Sequence, residues 1–280
     1  MICKRFLPSP ELRDFIREYL TIHLIFENKA LPPPPKAYPV HPEEGIRFVV
    51  SGSLFSENPE TGIIEKRPDI SIFGQPANRQ NLLISHEFLL IHVRFWPGML
   101  FKLLKIPMTE IVNQNFDASL VMGNEIKEIN DKLVHSCSYE MMHAILNKYF
   151  TQKINQFQSN TRPVDKIGIL IFNNPPEFNL ETTAKQACLS FRQFENRFAM
   201  QVGVTPKYFA RVCRFYKAYE LKELYPTLDW LSVAIRTGYN DYQHLVKDFK
   251  EFAGATPKIL IKESLKNPER NVQMASDFIL

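Results

Sequence analysis

The feature that most constrains this chain is a short unit that occurs twice, 51 positions apart. Residues 190–206 read SFRQFENRFAMQVGVTP, and residues 241–257 read DYQHLVKDFKEFAGATP. Phe194, Phe198, Gly203, Thr205, Pro206 and Lys207 map onto Leu245, Phe249, Gly254, Thr256, Pro257 and Lys258. Two copies at a fixed offset make a pair of matched modules rather than a solenoid. In the first copy Ser190 can cap a helix, with Gln193 completing a capping box. Phe191, Phe194 and Phe198 recur at i, i+3 and i+7, which predicts a buried stripe. Arg192 and Asn196 fall on the opposite face, with Met200 beside them. Gly203 ends that helix and Pro206 starts another. Asp241 is the corresponding cap in the second copy, where Gln243 and Lys247 stand in the places of Arg192 and Asn196.

Each copy is preceded by the same kind of lead-in. NLETTAKQACL reads as a helix capped by Asn179, with Ala184 and Ala187 at its packing face. TLDWLSVAIRTGYN repeats this with Ala234, and Gly238 makes the turn; the offset here is 50, so the two turns differ. A small residue where two helices cross, a tight turn and a capped helix form the helix-turn-helix pattern.

On LSFRQFENRFAMQVGVTPKYFARVCRF and AIRTGYNDYQHLVKDFKEFAGATP, the C-terminal hundred residues resemble the DNA-binding domain of AraC/XylS-type bacterial transcription regulators. The resemblance implies two helix-turn-helix units joined by a long helix, with double-stranded DNA and RNA polymerase as partners. Asn196 and Lys247 depart from the pattern, since the family usually has Arg there. The segment PKYFARVCRFYKAYELKEL, residues 206–224, is the expected connecting helix, with Phe209, Val212, Tyr216 and Tyr219 as its apolar stripe.

Geometry assigns the outward side chains. Arg192 and Lys247 suit guanine O6/N7, and Asn196 and Gln243 suit adenine N6/N7. Ser190, Arg197, Lys207, Arg211, Arg214, His244 and Lys250 are the candidates for phosphate contact, which positions a protein without reading sequence. For Arg211 and Arg214 the alternative is that they only solvate the connecting helix.

The charge agrees with this division. Residues 1–161 carry 17 basic and 17 acidic side chains, whereas residues 162–262 carry 15 and 10. The excess has the sign a phosphate backbone requires, although five net charges would be ordinary in any helical domain.

The first hundred residues read as strands: LTIHLIFE at 20–27, GIRFVVSGSLF at 45–55, DISIFGQ at 69–75 and EFLLIHVRFWPG at 87–98. Four prolines after Leu31 make a stiff connector between the first two. Helices are expected in PGMLFKLLKI, GNEIKEINDKLVHS and YEMMHAILNKYFTQKI. On HPEEGIRFVVSGSLF, IFGQPANRQ and HVRFWPGMLFKLLKIPMTEIVNQ, this half resembles the N-terminal domain of a subgroup of AraC-type regulators. The resemblance implies a cupin-like barrel that binds a small-molecule effector or mediates pairing of two copies.

The expected fold class is α+β in two domains: an N-terminal β-sandwich or cupin-like barrel with following helices, then an all-α double helix-turn-helix. The expected bounds are 1–115 for the barrel, 116–160 for the helical connector, 161–264 for the DNA-binding domain and 265–280 for a tail. The apolar stripes of the connector fit either a homodimer seam or packing on their own barrel. Arg47, His92, Arg94 and Trp96 are the candidate effector pocket, because Arg beside aromatics suits an anionic or planar ligand; the alternative is that Phe95 and Trp96 pack the barrel core and Arg94 faces solvent.

His86 and His92 are six apart with Glu87 between, which would place both rings on one strand face. Strand or rim histidines explain them without a metal, and no metal or cofactor is expected. The four cysteines have no paired spacing, so reduced, buried thiols are expected. No apolar run reaches a membrane span and the opening residues lack the apolar region of a signal peptide, so a cytoplasmic location is expected. Gly-rich phosphate loops and nucleophile elbows are missing too, so a regulator rather than an enzyme is expected. The competing readings are a module that keeps the fold but binds protein or ligand, and a cupin-type enzyme with a helical appendage.

Overall fold

The computed structural model describes residues 2–155 and 163–271. Its front half is built on β1 (Ile2–Phe6), β2 (Ile16–Ile25), β3 (Lys36–Tyr38), β4 (Gly45–Ser51), β5 (Leu54–Glu57), β6 (Ile64–Lys66), β7 (Ile70–Phe73), β8 (Gln80–Ile84), β9 (Glu87–Phe95) and β10 (Asn115–Asp117). They form two antiparallel sheets, in the orders β1-β2-β9-β4-β7-β10 and β3-β8-β5-β6. The run expected as one strand at 45–55 is two strands, because Gly52 adopts φ +83° and turns the chain from β4 into β5. A Cβ on Gly52 would lie 2.2 Å from the Glu87 carbonyl oxygen, so glycine is required there.

Long β2 and β9 run side by side through the larger sheet, with Tyr19 opposite Val93 and Thr21 opposite Ile91. One face of this sheet carries the main core of Tyr19, Ile46, Phe48, Ile72, Val93 and Phe95. Helices α1 (Met99–Leu104), α2 (Ser119–Met122), α3 (Glu125–Val134) and α4 (Tyr139–Asn155) follow the strands. Ile126, Ile129 and Leu133 of α3, with Leu146 and Phe150 of α4, join that same core. The connector stripes therefore pack on their own barrel; Val134 and Met141 stay outside, each about half exposed. The other face of the sheet meets the smaller sheet across Val49, Leu54, Phe88 and Leu90.

The back half comprises α5 (Pro163–Asn173), α6 (Leu180–Gln186), α7 (Phe191–Val202), α8 (Pro206–Leu224), α9 (Trp230–Arg236), α10 (Tyr242–Ala253) and α11 (Pro257–Ser264). It has two cores. Phe194, Phe198, Phe209 and Cys213 belong to one, and Val212, Phe215, Leu245, Phe249 and Phe252 to the other. Helix α8 feeds both, since Phe209 and Cys213 point into the first and Val212 and Phe215 into the second. The halves interlock: Val40 is fully buried in the second helical core, and its amide donates to the Phe252 carbonyl at 2.9 Å. Of the thiols, Cys213 is buried, but Cys137 and Cys188 are exposed, contrary to the expectation of buried cysteines. Among the described residues, no helix is long and apolar enough to cross a membrane.

Candidate nucleic-acid interface

The two modules are assembled by the devices their residues encode. Asn179 accepts from the Glu181 and Thr182 amides to start α6, and Ala184 is packed at the crossing with α7. Ser190 and Gln193 close the full capping box on α7. In the second module Asp229 caps α9 and Asp241 caps α10, each accepting from the amide three residues on. Both long helices end on left-handed glycines, Gly203 at φ +95° and Gly254 at φ +61°. The turns inside the modules also need one left-handed residue each. Gly238 supplies it in the second at φ +80°, whereas Cys188 does so in the first at φ +54°.

These devices leave one face of each helix outward. Behind α7, Phe194 and Phe198 are buried; behind α10, Leu245 and Phe249 are buried. Arg192, Asn196, Gln243 and Lys247 are exposed, and none of their four side chains is tied to another described residue by a hydrogen bond or ion pair. Phe191 differs from its expected place: at the first position of α7 it points out, 51% exposed, rather than extending the buried stripe.

Among the candidate phosphate contacts, Arg197, Lys207 and Lys250 are exposed, and Ser190 is engaged in its cap. The His244 ring bonds the Asp241 carboxylate at 2.8 Å. Arg211 and Arg214 are held inside the domain. Arg211 reaches Asp248 at 2.7 Å and Glu251 at 3.0 Å, and lies over the Phe252 ring. Arg214 stands over Tyr239 and reaches the other Asp248 oxygen at 3.5 Å, where the Tyr239 hydroxyl also donates at 3.0 Å. Asp248 is only 4% exposed, so it is a buried hub that braces α8 against α10. Sequence reasoning missed it; its one signal was an acid at the position matching Arg197 in the first copy.

The front half touches the C-terminal end of both outward helices. Beside Gly203 lie the Met108 carbonyl and the Val112 side chain, within 3.0 Å of where a Cβ would stand. Arg79 donates to the Ala253 carbonyl at 2.9 Å, placing a cation at the C-terminus of α10, and pairs with Glu263 at 2.8 Å.

Three of the four candidate pocket residues meet in one place. Arg47, His92 and Arg94 line a chamber between the two sheets. Trp96 does not; its ring packs edge-on to Phe172, 5.8 Å away, and its indole donates to the Arg13 carbonyl. The register explains the cluster, since Arg94 pairs opposite Glu18, and Arg47 opposite His92. Arg94 bonds Glu18 at 2.8 Å and Glu43 at 3.1 Å, and Glu43 also lies 3.6 Å from Arg47. Burial alone would raise the Glu18 carboxyl, but Arg94, Arg17 and Arg5 hold it down at about 2. Burial keeps His92 neutral, well below the usual histidine range. His86 lies in the turn before β9, bonded to the Leu31 carbonyl, so it does not share a strand with His92. Among the described residues no group of His, Cys, Asp and Glu could hold a metal ion.

Two matched helix-turn-helix modules, joined by one long helix and presenting outward polar side chains, make the back half a double helix-turn-helix domain. Residues 183–263 match the family described as Helix-turn-helix domain, and residues 4–117 match Domain of unknown function (DUF6597). The C-terminal region is thus a helix-turn-helix domain. No curated protein matches the chain. An apo variant of ToxT from Vibrio cholerae is similar in structure, with a TM-score of 0.47 at 11% identity, covering 87% of this chain and 97% of that one. ToxT bound to an unsaturated fatty acid gives 0.45 at 12%, covering 87% and 94%. The DNA-binding domain of AdpA, in complex with a target DNA, gives 0.34 at 21%, covering 41% and 100%.

Proposed function

We propose that this protein binds DNA sequence-specifically through α7 and α10 in successive major grooves and that its front half modulates the binding. The observation that carries this reading is the pair of capped helices with Arg192, Asn196, Gln243 and Lys247 exposed and unpaired opposite buried apolar stripes. On one duplex face, successive major grooves recur about every 34 Å. Helix α8 and the Asp248 hub fix the relation of the two reading helices, so a target with the wrong half-site spacing is rejected by geometry.

The front half has a physical route to those helices. Met108 and Val112 abut the end of α7 while Arg79 caps α10, so a shift of that half moves one reading helix against the other. The chamber around Arg47, His92 and Arg94 is the place for a small-molecule effector. Contact with RNA polymerase and pairing of two copies extend the same reading.

Selection of bound sequences from a random duplex pool at about 150 mM salt, where non-specific attraction is suppressed, supplies the test. Arg192→Ala and Gln243→Ala should each lose about 1–3 kcal/mol on the selected site and relax preference at one base pair. Arg197→Ala and Lys250→Ala should weaken all sequences alike and flatten the salt slope by about one unit. Equal losses on every sequence for Arg192→Ala and Gln243→Ala would mean that the helices dock on backbone alone, which sinks the base-reading assignment.

A further inference from the structure

The first residue of each outward helix is aromatic, and the two rings are placed differently. Tyr242 opens α10 and packs against the second helical core. Phe191 opens α7 and joins neither helical core, and among the described residues its ring meets no other ring and no cation. It stands 51% exposed, whereas Phe194 and Phe198 of the same helix are sealed. The cause is local. The capping box of Ser190 and Gln193 starts the helix at Phe191. Helical side chains tilt toward the N-terminus of their helix, so the ring projects beyond the first turn instead of back onto the core. A single apolar side chain on a surface needs no explanation. Its position does. In a helix-turn-helix the N-terminal residues of the second helix are those that meet base edges in the major groove. Phe191 holds that position, directly beside the exposed Arg192.

We propose that Phe191 reads the 5-methyl group of a thymine in the base pair beside the one that Arg192 contacts. This rests on the base-reading role of α7 and adds an apolar contact to its polar ones. The partner follows from the chemistry of the groove. Thymine alone presents an apolar group there, its C5-methyl, while the other base edges present donors and acceptors. A phenyl ring has no charge or donor for a phosphate. Laid on a polar base edge, it would strip water from a donor or acceptor and return no hydrogen bond. Laid on the methyl, it gains burial at no such cost. The preference is therefore enforced from both sides, by gain on thymine and by loss on the other bases. The second module lacks this reader, because the ring of Tyr242 is already committed to its own core. The two half-sites should then differ: the one under α7 carries a methyl requirement and the one under α10 does not.

Binding of the full chain to its selected duplex, with each thymine replaced in turn by deoxyuridine, tests this, since deoxyuridine lacks only the methyl. One thymine should respond, beside the base pair whose preference Arg192→Ala relaxes, with affinity falling roughly fourfold for the loss of one buried methyl. Phe191→Ala should bind the thymine and deoxyuridine duplexes equally. With cytosine at that position, 5-methylcytosine should recover part of the affinity for the wild type and none for Phe191→Ala. Thymines in the half-site mapped by Gln243→Ala should not respond. The deoxyuridine series on the wild type needs no variant, so a misfolded Phe191→Ala protein would not remove the test. The proposal is overturned if no thymine beside the Arg192 base pair responds, if the response survives in Phe191→Ala, or if it appears equally in the other half-site. A pool that yields no preferred sequence overturns base reading as a whole. Relaxed preference in Arg192→Ala with no methyl response overturns the role of Phe191 alone.

Discussion

The two helix-turn-helix modules share a backbone plan and differ in what holds it. In the second, the tight turn is made by Gly238, and the reading helix is braced from inside by the buried Asp248 with Arg211, Arg214 and Tyr239. In the first, the turn rests on Cys188 in a left-handed conformation, and the position matching Asp248 is the exposed Arg197. An L residue other than glycine held there stores on the order of 1 kcal/mol. The second module is therefore the stiffer of the two. The first takes more of its definition from outside, where Gly203 sits against Met108 and Val112. Duplication preserves a fold through its caps and apolar spacing, while the polar bracing diverges freely.

The sharpest way to break this comparison is to remove the hub. Asp248→Ala should cost about 2–3 kcal/mol in denaturant unfolding, less than the ~3–5 kcal/mol of a fully buried pair because both guanidinium groups are partly wetted. Arg197→Ala, at the matching position, should stay within about 0.5 kcal/mol, as surface changes usually do. Similar losses for the two would remove the claim that only one module has an internal brace.

The turns give the next contrast. Gly238→Ala meets both a positive φ and the Pro176 side chain, 2.6 Å from the new Cβ, and should cost roughly 2 kcal/mol. Cys188→Gly should move the other way, stabilising the first module by somewhat under 1 kcal/mol, since relief of strain is offset by the greater freedom of unfolded glycine. Calorimetric melting would read both signs.

The helix ends separate strain from contact. A Cβ on Gly203 meets Val112 at 2.8 Å, whereas one on Gly254 finds only the Arg79 side chain at 3.7 Å. Gly254→Ala should then cost about 1 kcal/mol, the conformational penalty alone, and Gly203→Ala more. If the isolated back half showed the same difference between the two, the front half would not be its source.

A pH effect should belong to the barrel and spare both modules. Burial pushes the Glu44 carboxyl up to about 8, although the Gly98 and Leu100 amides donate to it. A raised carboxyl contributes its stability below the unfolded value near 4.5 and loses it as pH climbs through about 8. Thermal melting of the wild type should therefore decline across that window, and Glu44→Gln should flatten the decline. An unchanged slope in the variant would assign the pH dependence to another group.

Legibility in the sequence followed the range of the interactions. Caps, glycine stops and apolar stripes act within one or two turns of helix, so α7, α8 and α10 could be read from their own residues. Phe191 was misplaced because at the first helical position the buried stripe has not yet begun. In the front half, β2, β4, β7 and β9 show in their apolar content, but β1, β3, β6, β8 and β10 do not. A segment such as KAY at 36–38 is a strand only because β8 pairs with it, with Lys36 opposite Leu82. The charge cluster was hidden for the same reason. Glu18 and Glu43 look like solvent-facing residues one by one; only the sheet register sets Glu18 opposite Arg94, and only the approach to β4 brings Glu43 to Arg94 and Arg47. Trp96 was drawn into the pocket by its nearness in sequence to Arg94, whereas its chain has already turned outward at the end of β9.

Val40 carries a lesson about recombination. A valine from the front half completes the apolar interior of the second module, and its backbone joins that of α10. Shuffling such halves between relatives, by nature or by an engineer, transfers a back half whose interior lacks one of its own members. A chimera would therefore inherit either a void or a mismatched substitute at this point. The seam that survives exchange lies around that residue, not at the linker where the chain crosses from one half to the other.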